Sequence, residues 1–115
     1  MSAGLRRLMN RTYTTKRPPA MASDKRAERV AYLVGVKGLP IDPADGRNEQ
    51  VQALLMNGAL ELYQTVVGDV DILPGHALVD GGVEYTVRAV APYDGPVFNR
   101  TGDRFKVLYL ERERR

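Results

Sequence analysis

The residues of this chain whose side chains could do chemistry are few and widely spaced. His76 is the only histidine, and it follows a Pro-Gly turn, a position typical of a polar turn residue. Asp69 and Asp71 form an Asp-x-Asp pair, but a calcium loop needs more oxygen ligands and a terminal Glu. No cysteine is present to supply a thiolate, a disulfide or a zinc ligand. The sequence therefore predicts neither a metal site nor a bound cofactor.

The remaining short motifs do not indicate catalysis either. Gly81-Gly82 lacks the Lys-Ser/Thr pair and the strand-to-helix context of a phosphate-binding loop. Asn10-Arg11-Thr12 and Asn99-Arg100-Thr101 match the glycosylation triplet, but we see no secretory signal and no apolar run long enough to span a membrane. No serine lies in a pattern with an acid and a base. We therefore expect a protein that is not an enzyme.

Charge divides the chain into a basic end and an acidic body. Residues 1–31 carry eight basic and two acidic side chains, whereas residues 32–111 carry six basic and eleven acidic ones. Such asymmetry is typical of an arm that binds a nucleic acid, a membrane surface or the acidic body of a neighbouring copy, or of a solvated basic tail. The first 23 residues also have the composition of a mitochondrial transit peptide, but the β-branched residues 11–15 favour a strand.

The clearest local structure is a β-hairpin between Asp71 and Val90. Pro74-Gly75 predicts the turn that enters it, and Gly81-Gly82 predicts a two-residue loop of type I′ or II′. The second strand alternates apolar with polar residues, which predicts one buried face made of Val83, Tyr85, Val87 and Ala89. The scaffold residues of this hairpin are Pro74, Gly75, Gly81, Gly82 and Tyr85.

Further strands are predicted over residues 10–17, 29–37, 60–67 and 104–111. Gly35 inside the second of these indicates a bulge, and the last one has apolar residues on both faces, as in a central or interface strand. Asn48 as N-cap and Asn57-Gly58 as the stop predict a short helix over 49–56. The prediction is an all-β protein: a small antiparallel barrel or sandwich of about six strands, with one short helix and a basic N-terminal arm. We expect one domain over residues 1–115, with the arm, first strand and loop in 1–28 and the barrel body in 29–111.

Four segments in this order resemble the phage head-closure family, the connector stopper or head-completion proteins of long-tailed phages. The first is Leu8 to Pro18, with its Thr/Tyr strand that ends at Arg-Pro, and the second leads to Pro40-Ile41-Asp42-Pro43. The third is Leu62 to Val67 running on to His76, and the fourth is Val79 to Val90. The chain departs from the family pattern at His76, where an acid is expected, and in residues 44–58.

The resemblance implies a virion protein that forms a ring under the portal and its adaptor. Such a ring closes the channel on packaged double-stranded DNA, which passes without sequence-specific binding, and offers a docking face to the tail or tail-terminator protein. It implies assembly in the host cytoplasm, a final position at the head–tail interface and no membrane partner. An acidic body lining the channel would repel DNA, and a basic arm could hold a neighbouring copy.

Two sets of contact residues follow as hypotheses. The arm residues Arg6, Arg7, Arg11 and Arg17 are expected to contact another subunit or the adaptor. The segment Asp42–Gly58, with Asp42, Asp45, Arg47 and Glu49, is expected to face the channel and to form part of its gate. The alternatives are another connector ring such as a tail terminator, a small nucleic-acid-binding barrel, or an accessory protein of the mitochondrial ribosome type.

Overall fold

Eight strands and one helix are found in the computed structural model, which describes residues 8–19, 29–59, 61–93 and 104–113. The helix, α1, spans Glu49–Met56, as predicted. The strands are β1 (Arg11–Arg17), β2 (Val30–Ala31), β3 (Val36–Gly38), β4 (Asp42–Pro43), β5 (Leu62–Gly68), β6 (Ala77–Asp80), β7 (Val83–Pro92) and β8 (Phe105–Arg112).

Six of these strands close into an antiparallel barrel. They follow the order β1-β3-β5-β8-β7-β6, and β6 pairs again with β1, with Thr15 opposite Leu78. The short strands β2 and β4 are additions that pair with β1 and β5. Closure pairs strands that would otherwise be edges of an open sheet. The predicted small all-β barrel with one short helix is therefore confirmed.

Residues 30–38 run along β1 as one strand interrupted by a bulge. Val30 and Ala31 pair with Arg17 and Lys16, and pairing resumes where Val36 lies opposite Tyr13. Between them Gly35 has a φ of 68°, a value that favours glycine, so the predicted bulge is confirmed. The expectation from the alternating pattern that Val30, Tyr32, Val34 and Val36 share one face is wrong, because Val36 is buried whereas Val34 is 80% exposed.

A second bulge lies in β7 and was not predicted. Three residues, Val87 to Ala89, lie opposite two residues of β8, Leu110 and Tyr109. The extra residue reverses the faces, so Val87 points into the barrel while Ala89 packs outside it, beneath α1. The prediction that both share one buried face is therefore wrong.

The core of the barrel is built from alternate residues of every wall strand. Its fully buried members include Tyr13, Ile72, Leu78, Leu108 and Leu110. α1 packs on the outer faces of β5, β7 and β8. Its Val51 lies in a second buried cluster with Leu62 of β5 and Tyr109 of β8, and Ala89 of β7 packs against this cluster. Because β8 pairs on both sides and is covered on both faces, the prediction that it is a central strand is confirmed.

The point where β1, β3 and β5 meet has no room for a side chain at Gly38. An added Cβ would lie 2.8 Å from the Tyr13 ring and 3.0 Å from the Val66 carbonyl oxygen. Directly beside it, the hydroxyls of Tyr13 and Thr65 donate hydrogen bonds of 2.5 and 2.6 Å to the carbonyl oxygen of Leu39. These two bonds fix the chain where it leaves β3.

The scaffold hairpin forms as predicted. Gly75 and Gly81 have positive φ values of 94° and 62° in the two turns, and Gly82 completes the loop between β6 and β7. Pro74 precedes Gly75 in the entry turn. Tyr85 lies opposite Leu78 and meets the Tyr63 ring edge-on, with 5.6 Å between ring centroids.

Candidate interaction surfaces

Arg11 and Arg17, two of the predicted contact residues of the arm, have partners within their own chain. The Arg11 guanidinium lies 3.7 Å from the Asp80 carboxylate, at the end of β6. The Arg17 guanidinium lies 3.9 Å above the centre of the Tyr32 ring, a cation–π geometry. Arg6 and Arg7 lie outside the described residues. The structure thus places two arm cations on the barrel surface, about the length of β1 apart.

Polar side chains from distant parts of the sequence meet beside Arg17. The Tyr32 hydroxyl donates a 2.8 Å hydrogen bond to the Asp71 carboxylate, and the Tyr32 ring meets His76 edge-on. His76 is only 7% exposed, and its Nδ1 accepts a 3.4 Å hydrogen bond from the Leu73 N–H. Burial lowers the pKa of His76 from its usual 6.5, although the Asp71 carboxylate opposes this. The residue is therefore a buried, neutral part of the turn rather than an exposed turn residue.

A group of four charged side chains and one threonine, here called the clasp, joins β1, the residue before β2 and the residue after β8 to β7. It consists of Lys16, Arg29, Glu84, Thr86 and Glu113. Arg29 lies 3.1 Å from Glu84 and 2.5 Å from Glu113, and Lys16 lies 2.7 Å from Glu84. Thr86 accepts a hydrogen bond from Arg29 and donates one to Glu113. The clasp holds the chain before β2 and after β8 against β7.

The clasp should make the free energy of unfolding depend on pH in the acidic range. Burial raises the pKa of Glu113, but hydrogen bonds from Thr86 and Arg29 outweigh this, so the pKa lies below its usual 4.5. A carboxyl with a lowered pKa stabilises the fold fully above its unfolded pKa, and this contribution is lost as pH falls through the folded pKa.

Replacing Glu113 with Gln is therefore expected to lower the free energy of unfolding by about 0.5 kcal/mol at pH 7, because the pair is partly exposed. The difference from wild type should shrink as the pH falls below about 4.5. Urea unfolding at pH 7 and pH 3 measures both values. Arg47→Gln, a charge removal on the exposed surface away from the clasp, is the control. A Glu113→Gln difference that is equal at both pH values would contradict the assignment.

The predicted gate residues lie on the outer surface of the barrel, at the start of α1. The side chains of Asp42, Asp45, Arg47 and Glu49 are all exposed. Asp45 accepts a 3.0 Å hydrogen bond from the Arg47 N–H and so shapes the turn before the helix. Glu49 occupies the first turn of α1, where negative charge is favourable. Three exposed carboxylates thus lie on the stretch of chain from β4 to the first turn of α1.

Asn48 fixes this segment to the barrel. Its Oδ1 accepts hydrogen bonds from the N–H groups of Gln50 and Val51, and its Nδ2 donates a 3.0 Å bond to the Tyr109 hydroxyl. The residue therefore caps the helix and docks it on β8 at the same time. Its role as N-cap was predicted, whereas the bond to a residue 61 positions later was not.

Replacing Asn48 with Ala should cost about 1 kcal/mol of stability through the lost cap. Hydrogen exchange of the α1 amides should accelerate, because the same change removes the bond to Tyr109. Tyr109→Phe is the matched control, since it removes the Tyr109 hydroxyl and leaves the cap in place; it should have the smaller effect. Equal protection of α1 in wild type and Asn48→Ala would show that the cap does not hold the segment.

The other end of α1 presents apolar side chains to solvent. Met56 is 88% exposed and Leu55 is 42% exposed, and the last turn carries no basic residue. These two residues are called the helix tip. A lone exposed apolar residue is common, but a large pair at a helix end is a candidate contact surface.

A cleft of about 620 Å³ opens at the far end of β5, where β5 ends and β8 begins. Its apolar lining includes Leu33, Val34, Val36 and Phe105, and Lys37 and Arg104 add basic groups. We call it the end cleft. Sequence reasoning missed it, because its lining comes from residues near 34, 69 and 105 that are brought together only by the pairing of β3 with β5 and of β5 with β8.

Within the described part of the chain, no three His, Asp or Glu side chains are grouped so that they could hold a metal ion. None of the helices in those residues is long and apolar enough to cross a membrane. Every buried side-chain nitrogen or oxygen atom described has a hydrogen-bond partner. The candidate sites described above are the carboxylates before α1, the helix tip, the end cleft and the clasp.

Comparison with known proteins adds no family to this description. No model of a protein family matches the chain, and no curated protein matches it.

Proposed function

We propose that this chain is a structural virion protein that forms a ring of the phage head–tail connector. The ring would close the portal channel on packaged double-stranded DNA and offer a docking surface to the tail. Its partners would be further copies of itself, the portal or adaptor protein on one side and the tail or tail-terminator protein on the other. The site of action would be the head–tail interface of the virion, after assembly in the host cytoplasm.

The observation that carries the proposal is the way the four resembling segments meet in the barrel. The first forms β1, the third forms β5 and the turn after it, and the fourth forms the β6–β7 hairpin. β1 pairs directly with β6, where Thr15 lies opposite Leu78. The second segment passes along β5, where Asp42 pairs with Gln64. The first, third and fourth segments thus supply strands of the barrel wall, whereas residues 44–58, which depart from the family pattern, lie outside that wall.

The segment Asp42–Gly58 supports the channel part of the proposal. Its carboxylates at Asp42, Asp45 and Glu49 are exposed on the outer side of the barrel. Carboxylates facing a channel repel the DNA phosphates, so DNA could slide through without specific contacts. This orientation of the segment toward a channel is our hypothesis, and an assembled ring with α1 on its outer wall would refute it.

The arm supports the assembly part. The Arg11 side chain is 54% exposed and its ion pair with Asp80 is long, at 3.7 Å, so another copy or the adaptor could reach it. Replacing Arg6, Arg7 and Arg11 together with Ala should abolish ring assembly and leave the monomer folded. Circular dichroism checks the fold, and unchanged ring formation would refute a contact role for these residues.

The proposal is tested first by imaging the purified full-length chain, alone and added to portal–adaptor complexes. Closed rings of uniform diameter on their own or on the portal are expected. The second test uses phage heads assembled without this chain: they should lose packaged DNA, and added protein should restore DNA retention. Heads that retain DNA equally well without it would contradict the proposed function.

The rival reading as a nucleic-acid-binding barrel finds less support. On the described barrel Lys16, Arg29, Arg88 and Lys106 each lie within 4 Å of a carboxylate, so these cations are already paired. A groove that follows a nucleic-acid backbone needs cations directed at phosphates. Strong, salt-sensitive binding of DNA or RNA by the monomer would favour that rival over the connector.

A further inference from the structure

The helix tip and the end cleft lie at opposite ends of the same strand pair. The helix tip lies near the start of β5, because Ala59, three residues after Met56, packs against Leu62, the first residue of β5. The cleft lies at Gly68 and Phe105, where β5 ends. A seven-residue strand spans about 20 Å. The tip of one chain therefore lies far from its own cleft, but a second copy could bring the two together.

The end cleft has room and apolar lining for the side chains of the helix tip. Met56 is a long, unbranched and adaptable side chain, a type well suited to filling an irregular apolar opening. The cleft offers Leu33, Val34 and Val36 as apolar lining and has a volume of about 620 Å³, large enough to receive the side chains of the tip.

Charge complementarity favours the same pairing. The C-terminal end of a helix carries partial negative charge, and α1 has no basic residue in its last turn to offset it. The end cleft supplies Lys37 and Arg104 in its lining. The carboxylate in the cleft, Asp69, lies 3.7 Å from Lys106 of the same chain, which reduces its repulsion of an incoming helix end.

We propose that the helix tip of one copy inserts into the end cleft of the next copy, forming the contact between subunits. This inference rests on the proposed function, because it supplies the interface that a ring requires. The two surfaces differ, so the contact is heterologous: each copy has one of each, and successive copies can continue until a ring closes.

The test uses the absence of native cysteine, which allows thiols to be placed one at a time. Met56→Cys and Val34→Cys are made in separate full-length chains, at positions that are 88% and 80% exposed, so neither change should disturb folding. Each variant alone, and then the two mixed, is treated with a short bismaleimide at high protein concentration. The control is Gln52→Cys, an exposed position on α1 before the tip. Lys37→Cys provides a second cleft position.

The mixture of Met56→Cys and Val34→Cys should give a cross-linked dimer several-fold more abundant than either variant alone or a mixture that contains Gln52→Cys. Equal cross-linking of Met56→Cys with itself would overturn the proposal in favour of a symmetric contact. Cross-linking no higher than the Gln52→Cys control, with Lys37→Cys giving the same result, would also overturn it.

A chain that carries both Met56→Cys and Val34→Cys separates this inference from the proposed function. A cross-linked ladder that ends in a closed ring supports both. An open-ended ladder supports the interface and contradicts the ring. If the unmodified chain forms closed rings but the tip and the cleft do not cross-link, the proposed ring function is supported and the proposed interface is overturned.

Discussion

Replacing Gly38 with Ala is expected to destabilise the protein by about 1–3 kcal/mol, the usual cost of an added group in a packed site. The new Cβ would lie 2.8 Å from the Tyr13 ring, 3.0 Å from the Val66 carbonyl oxygen and 3.1 Å from a Val67 methyl. Tyr13 cannot turn aside cheaply, because its ring is buried and its hydroxyl is bonded to Leu39. The backbone of β5 would have to move instead, which disturbs the junction of three strands.

The matched control for this change is Gly68→Ala, at the last residue of β5 and next to Val67, which lies opposite Gly38. An added Cβ there meets nothing within 4 Å, and the φ of Gly68 is not in the left-handed region. Alanine reduces the freedom of the unfolded chain, so this variant should be as stable as wild type or slightly more stable. Urea unfolding of the three proteins measures the contrast. Equal destabilisation by both substitutions would show that the crowding at Gly38 is not the cause.

Replacing Leu108 with Ala is expected to lower the free energy of unfolding by about 2–5 kcal/mol, because it truncates a fully buried side chain. Leu108 is 0% exposed and packs in the main core, and its strand β8 pairs with both β5 and β7. Because strands on both sides hold β8 in place, the neighbouring residues cannot easily shift to fill the cavity that the truncation leaves. Because small proteins are stable by about 5–15 kcal/mol, the variant should be close to unfolding at 37 °C.

Leu73→Ala is the control for the Leu108 truncation, because it removes the same atoms from a side chain that is largely exposed. Its effect should stay within about 0.5 kcal/mol of wild type. Thermal and urea unfolding monitored by circular dichroism compare the variants. If both leucine truncations shifted the unfolding midpoint equally, β8 would not be the central strand of the barrel.

The parts of the fold that could be predicted from sequence are those set by local chemistry. The helix at 49–56 followed from its cap at Asn48, and the turn at Gly81-Gly82 followed from the need for positive φ. The bulge at Gly35 was visible because a glycine marks it. The bulge after Val87 has no such marker, since Arg88 is an ordinary strand residue, and one extra residue was enough to send Ala89 to the other face.

The surfaces depended on partners that sequence could not supply. The clasp pairs Arg29 with Glu113, 84 positions later, and the burial of His76 requires Tyr32 to lie over it. Such contacts form only after the barrel closes, so no local sequence pattern predicts them. The arm residue Arg17 was predicted for its charge, but its observed partner is an aromatic ring. The carboxylates at Asp42, Asp45 and Glu49 were identified because they interrupt a strand pattern.

The pairing of β1 with β6 also limits the order in which the chain can fold. Lys16 must find Ala77, about sixty residues later, and such distant pairings make folding slow, on a scale of milliseconds to seconds. On the ribosome, one hydrogen-bonding edge of β1 has no partner until β6 has been synthesised. β8, the wall strand that lies between β5 and β7, is synthesised later still. A nascent chain of this protein therefore exposes an open sheet for most of its synthesis, and changes that delay β6 should increase its need for chaperones.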